Sequence, residues 1–171
     1  AQATAELKDT RIEQRALRAG DRMPEFRLRN QQVEMRRFAD FLGETTVVLN
    51  NSRGGSCPYC NYEMKALADA LPEIEAAGAK LVGMAPEDPD HAHDTASQHD
   101  IGIEILSDAG NAVSEQLGLV FTLAEELRPI YLAAGLDIPA YNGDDSFRLP
   151  MPATYIVGAD GIIKADFVNA D

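Results

Sequence analysis

The chain has 171 residues, a formal charge of −13 and an apolar content of 45%. That length builds one domain around a single core, and the acidity makes nucleic acid or an anionic membrane surface a poor partner. No apolar run approaches the roughly 20 residues of a membrane-spanning helix, and the charged stretch from Ala1 to Gly20 lacks the apolar centre of a secretory signal.

Residues 4–19 are polar and alanine-rich, with Leu7, Ile12, Ala16 and Leu17 in loose helical register. They predict a helical extension over residues 1–19 that lies on the domain surface and is ended by Gly20; a partner-binding or dimer-forming helix is the alternative. Met23–Leu28 alternates and predicts an edge strand or an extended arm. Val33 and Met35, then Phe38, Phe41 and Leu42, predict a short strand and a helical turn closed by Gly43. Thr45-Thr46-Val47-Val48-Leu49 reads as a buried strand.

Next comes Arg53-Gly54-Gly55-Ser56-Cys57-Pro58-Tyr59-Cys60, which holds the only two cysteines, spaced C-x-x-C. A helical pattern follows, with Cys60, Met64, Leu67, Leu71 and Ile74 on one face, ending near Ala77-Gly78. Pro58 falls at the favoured first helical position. The unpaired N–H groups of a helix start favour a thiolate over a thiol. Cys57 is therefore expected to have a depressed pKa and to be the attacking sulfur. Cys60, one turn further in, suits a resolving role. Arg53 adds a positive charge, and Gly54 and Gly55 allow close backbone approach or positive φ. Three plainer readings compete. Half of a zinc site, completed by His91, His93 and His99, lacks a second cysteine pair. A disulfide closing so short a loop would add little stability. The third is a pair of inert buried thiols. The strand–turn–helix setting favours redox chemistry, which requires no metal or organic cofactor. Two cysteines spent on one redox pair fit a reducing cytoplasm.

Lys80–Ala85 predicts the next buried strand, parallel to the first because a crossover helix joins them. His and Asp are dense over residues 86–100. They read as a divalent-ion site or as an acidic cap on a solvated helix, and the absence of recognised ligand spacing argues against the metal. Ile103–Leu106 predicts a strand, and Ser107-Asp108 caps a helix from about Asn111 to Leu117. Residues 119–149 form an insertion in which Leu119, Val120, Phe121, Leu123, Leu127, Ile130, Tyr131 and Leu132 predict one or two helices. Tyr141–Asp145 reads as a turn cluster. The insertion serves equally as a wall of a substrate site, a homodimer surface or extra core. Pro152-Ala153-Thr154-Tyr155 opens a strand, and Ala159-Asp160-Gly161 turns it into an antiparallel partner, Ile162–Val168.

These motifs together carry a resemblance. Cys57-Pro58-Tyr59-Cys60 after a strand resembles the motif of glutaredoxins and of the thioredoxin fold generally. The longer Arg53–Asn61 stretch resembles the peroxiredoxin-like branch of the alkyl hydroperoxide reductase / thiol-specific antioxidant family. Gly20–Phe26, Leu106-Ser107-Asp108 and Pro152–Val157 match further landmarks of that family in order, over about residues 20–168. The resemblance implies a thioredoxin-like α/β fold over residues 20–171, a central mixed sheet flanked by helices, with the insertion before the last hairpin. It implies a cis-proline at Pro152, with Pro150 as rival, facing the cysteines beside Met151. Those two residues would shape a substrate groove with Gly55, Ser56, Pro58 and Tyr59. The usual closing helix of the fold is missing after Asp171, which reads as truncation.

For activity, the resemblance implies a thiol peroxidase. Hydroperoxide oxidises Cys57, Cys60 closes a disulfide, and a thioredoxin-like or glutathione reductant resets the pair. The usual peroxiredoxin pattern Pro-x-x-x-Thr-x-x-Cys has Asn50 and Gly54 in its first two named places here, and Ser56 stands where the branch commonly has tryptophan. That leaves Ser52, Ser56 and Arg53 as donors to a peroxide. The departures leave thiol–disulfide exchange untouched, so an oxidoreductase acting on disulfides is the second reading. A non-catalytic redox sensor or binding module is the third.

Overall fold

The computed structural model describes residues 10–168. The chain enters through α1 (Ile12–Arg15), the hairpin of β1 (Arg27–Asn30) and β2 (Met35–Arg37), and α2 (Phe38–Leu42). Two β-α-β units follow: β3 (Thr46–Asn51), α3 (Pro58–Asp69) with α4 (Leu71–Ala76), β4 (Ala79–Ala85), α5 (Pro89–Gln98) and β5 (Glu104–Ser107). These three strands pair in parallel, as crossover helices require. A 3-10 turn (Ala109–Asn111) and α6 (Ala112–Gln116) lead into β6 (Val120–Thr122), α7 (Arg128–Ala133), α8 (Ile138–Asn142) and β7 (Arg148–Pro150). The antiparallel hairpin of β8 (Ala153–Val157) and β9 (Ile163–Val168) closes the sheet.

The sheet has seven strands in the order β2-β1-β5-β4-β3-β8-β9, and β6 pairs with β7 apart from it. This is the expected thioredoxin-like arrangement, a mixed sheet between helices. Strand alternation divides the core. Val47, Leu49, Val82, Met84 and Leu106 face one layer with Phe38, Phe41, Leu117 and Tyr155. Leu81, Ala85 and Ile105 face the other, under Met64 of α3 and Ala92 of α5. Each large side chain so buried contributes about 1.5–3 kcal/mol. Among the described residues no helix is long and apolar enough to cross a membrane.

Several elements differ from expectation. Ile12 and Ala16 do not lie on the surface but join the main core, and Leu17 N–H donates to Leu117 C=O at 3.0 Å. Leu7, the first apolar position of that expected helical register, lies outside the described residues. β1 starts only at Arg27 and is interior, while β2 forms the edge. The expected single helix to Ala77 breaks at Ala70 (φ −83, ψ 0), because Pro72 lacks the N–H that a continuing helix needs. Tyr141 and Asn142 end α8, and the turn begins at Gly143, φ 70. The β6–β7 pair was not expected, since three-residue strands far apart in sequence leave no periodic signal. Every peptide bond among the described residues is trans, Met151–Pro152 and Leu149–Pro150 included. Trans is the lower-energy isomer, and Met151 N–H is already tied to Leu119 C=O at 2.8 Å.

Tyr155 is fully buried, and its hydroxyl has no hydrogen-bond partner among the described residues. A buried unpaired hydroxyl destabilises the fold. Tyr155→Phe is therefore expected to raise stability by about 1 kcal/mol, measured as a higher urea midpoint at unchanged slope.

Candidate active site

β3 ends at Asn51 and leads directly into the turn that carries the cysteines. Ser52 stays tied to the sheet, its N–H donating to Met84 C=O at 2.8 Å. Cys57 is the N-cap of α3, with extended backbone (φ −113, ψ 103), and Pro58 opens the helix. The first N–H groups of a helix have no intrahelical partner; those of Tyr59 and Cys60 favour the Cys57 thiolate, although Cys57 makes no side-chain cap hydrogen bond. Cys60, one turn in, is 3% exposed, and its thiol donates to Cys57 Sγ at 2.9 Å. Both cysteines are free thiols.

The two sulfurs divide their roles electrostatically. The Cys60 thiol hydrogen bond, against the opposing effect of burial, brings Cys57 down to about 6. The Cys60 N–H, the Arg53 charge and the Tyr59 N–H add to that pull. Cys60 moves the other way: its bond to Cys57, its burial and the Cys57 charge keep it protonated. Near neutral pH the pair is one thiolate beside one thiol.

The Arg53 guanidinium lies over the Phe121 ring of β6, 5.2 Å from its centroid, within cation–π range. The 119–149 segment thus supplies the platform that holds this cation. Arg53→Gln is expected to raise the Cys57 pKa and slow its alkylation at pH 6 by about twofold to fivefold, a fraction of a unit because Arg53 is a lesser cause. Phe121→Leu should change the rate in the same direction by less. An unchanged rate in both would remove Arg53 from the activating set.

The Gly54–Gly55 step is held on every side. Ser52 Oγ accepts Gly54 N–H at 3.1 Å, and Gly54 C=O accepts Cys57 N–H at 3.0 Å. Asn61 Nδ2 donates to Gly55 C=O at 3.1 Å, while Glu87 Oε1 accepts Gly55 N–H. All four backbone polar groups of the two glycines are satisfied without water.

The model of the AhpC/TSA family matches residues 19–166. The chain belongs to the AhpC/TSA family. Peroxiredoxin Bcp of Escherichia coli (strain K12) is 29% identical over 103 residues, covering 60% of this chain and 65% of that protein. The 1-Cys peroxiredoxin A of Oryza sativa subsp. japonica is 28% identical over 152 residues, covering 89% of this chain and 64% of that protein. The chain thus spans somewhat under two thirds of the length of these relatives. Among solved structures, peroxidoxin BcpB from Mycobacterium tuberculosis has a TM-score of 0.72 at 20% identity, covering 89% of this chain and 86% of that one. A cysteine-to-serine mutant of Xylella fastidiosa PrxQ has a TM-score of 0.70 at 12% identity, covering 88% and 84%. Both show the fold.

Measured against the AhpC/TSA motif, the two departures have structural accounts. Gly54 has φ +80, and a Cβ there would come within 2.6 Å of Glu87 Cγ, so the acid fills the space a threonine would need. Asn50 is buried and donates from Nδ2 to Thr154 Oγ1 at 3.0 Å, bracing β3 to β8. The structure brings Arg53, Cys57 and Cys60 together and leaves Pro58 and Tyr59 exposed beside them. Ser52 and Ser56, expected as donors to a peroxide, are both buried, and Ser52 is engaged with Gly54. Met151 is fully buried and Pro152 half-buried at the end of the sheet where β3 stops, since Ala153 pairs with Asn51. Among the described residues no group of three His, Cys, Asp or Glu side chains is placed to hold a metal ion. Asp88 caps α5 through His91 N–H at 2.9 Å, and His99 lies by Asn61, with Nε2 3.2 Å from its Nδ2.

Sequence reasoning missed Asn61 and Glu87. Asn61 sits four residues past Cys57, one helical turn, and that spacing was the available signal. Glu87 gave none, because it lies in the acidic run Pro86–Asp90 that reads as solvent-facing.

Proposed function

We propose that this chain is a thiol-dependent peroxidase in which Cys57 is the nucleophile and Cys60 the resolving thiol. The observation that carries the reading is the depressed Cys57 thiol at a helix start with a protonated Cys60 thiol 2.9 Å away. The Cys57 thiolate attacks the O–O bond of a hydroperoxide, forming a sulfenic acid; the leaving alkoxide takes a proton to become the alcohol. Cys60 sulfur then displaces the sulfenic hydroxyl, which leaves as water with the Cys60 proton, and a disulfide forms. An external dithiol, thioredoxin-like, or two equivalents of glutathione return the pair to thiols. Tyr59, 84% exposed beside Cys57, leaves room for such a reductant to reach the disulfide. Arg53 and the α3 amides activate the thiolate, and Pro152 lines the approach with Gly55, Pro58 and Tyr59, backed by the buried Met151 and Ser56. The cycle suits a reducing cytoplasm, and a homodimer is compatible with it.

The glycine in place of the motif threonine favours a second reading, a disulfide oxidoreductase using the same cysteines. Stopped-flow oxidation of the reduced protein by hydrogen peroxide and by a small disulfide separates the two. Fast peroxide reaction that disappears in Cys57→Ser and stops at sulfenic acid in Cys60→Ser supports the peroxidase. Slow peroxide reaction with rapid exchange supports the oxidoreductase. Wild type as inert as Cys57→Ser toward both oxidants would leave only a non-catalytic module.

A further inference from the structure

Glu87 is a buried acid beside the cysteine turn that the peroxidase cycle does not use. It lies just past β4 and is 1% exposed. Its Oε1 accepts Gly55 N–H and also the Thr95 hydroxyl of α5 at 3.1 Å, and its backbone carbonyl accepts the Ser107 hydroxyl of β5. Oε2 is buried without a partner among the described residues. Burial pushes this acid up, against the hydrogen bonds from Gly55 N–H and the Thr95 hydroxyl, which favour its ionised form. Both glycines are shaped around it. A Cβ on Gly54 would come within 2.6 Å of Glu87 Cγ, and one on Gly55 within 2.7 Å of Oε1. The acid therefore grips, from the end of a neighbouring strand, the backbone step that precedes the nucleophile.

We propose that Glu87 is a positioning residue that, through Oε1, fixes the Gly54–Gly55 backbone and so places the Cys57 sulfur at the start of α3. It acts through Gly55 N–H rather than on either sulfur. The inference rests on Cys57 being the activated nucleophile. An acid that merely packed the loop would affect stability and leave the thiol's titration alone.

The test follows iodoacetamide alkylation of the reduced protein from pH 5 to 9, assigning the modified cysteine by peptide mass mapping. Glu87→Ala is expected to slow Cys57 alkylation at pH 6 by about fivefold and to move the half-rise upward. Glu87→Gln should stay within about twofold of wild type, because the amide keeps the acceptor oxygen. Thr95→Val, which removes one anchor of the acid, should move the profile as Glu87→Ala does but less, and it decides the matter should Glu87→Ala not fold. A folded Glu87→Ala with an unchanged profile overturns the inference. So does a Glu87→Gln as impaired as Glu87→Ala, since an acceptor oxygen in that place would then not be what holds the turn. With Glu87→Ala unfolded, an unchanged Thr95→Val overturns it as well. An ordinary thiol profile for Cys57 in wild type would instead overturn the nucleophile reading, and this inference with it.

Discussion

Cys60→Ala is expected to slow alkylation of Cys57 at pH 6.5 by about tenfold, with the half-rise of the rate displaced upward from about 6. The Cys60 thiol hydrogen bond is the largest cause of the depressed Cys57 pKa, and alanine removes it while leaving the α3 amides and Arg53 in place. A thiol with a pKa of about 6 is roughly nine-tenths thiolate at pH 7, whereas an ordinary thiol is a few per cent ionised. The low-pKa thiolate is intrinsically less nucleophilic, which trims the rate advantage but does not cancel it. Cys60→Ser, which keeps a hydroxyl donor, should lie between wild type and Cys60→Ala. The same shift sets the pH dependence of stability. The folded pKa lies below the unfolded one, so the contribution is complete above the unfolded value, about 8.5, and is lost as pH falls through about 6. Reduced wild type should therefore gain stability over Cys57→Ala between about pH 6 and 9, read from denaturant midpoints in the presence of excess reductant. A Cys60→Ala profile that overlays wild type would assign the activation to the helix amides and Arg53 alone.

Gly55→Ala is expected to cost about 2–3 kcal/mol of stability and to slow Cys57 alkylation by about tenfold. The added Cβ would lie 2.7 Å from Glu87 Oε1 and 3.0 Å from Tyr141 Cε1, and it meets the Thr95 hydroxyl as well. Glu87 and Thr95 are buried and hydrogen-bonded, so neither can swing aside freely. Relief must come from the loop itself, which moves the backbone that carries Cys57 to the start of α3. Gly54→Ala adds a different penalty, since φ +80 is a left-handed conformation that costs a non-glycine residue about 1–2 kcal/mol. Urea midpoints and alkylation rates on the two variants check both statements. A Gly55→Ala protein of wild-type stability and reactivity would mean that the turn is far looser than its packing indicates.

The site unites two kinds of information. Cys57 and Pro58 at a helix start, Cys60 one turn later and a buried strand before them are local features, written within about fifteen residues. Local sequence can encode them because helix starts, β-strand alternation and proline placement each act over a turn or two. The parallel order of β3, β4 and β5 follows as well, because crossover helices leave little choice. The asymmetry of the two thiols is therefore legible in the order of residues alone.

Glu87 and Phe121 became part of the site only through tertiary contact, whereas Asn61 reaches Gly55 within the same turn and helix. Glu87 looks like one more acid in Pro86–Asp90, and its burial depends on β4 ending beside the Gly54–Gly55 turn and on α5 bringing Thr95 over it. Phe121 is one apolar residue of the insertion among several until β6 pairs with β7, Phe121 opposite Leu149, and its ring lies under Arg53. The trans bond before Pro152 departs from what the family resemblance implied, and the break at Ala70 reflects Pro72, which helical periodicity alone does not register. The candidate cysteine pair followed from the residues in order, because short-range backbone and helix-end physics specify its setting, while the fold class followed from the family resemblance those motifs carry. Which buried side chains hold the cysteine turn in place was decided by packing between segments distant in the chain, and no pattern along the chain records that.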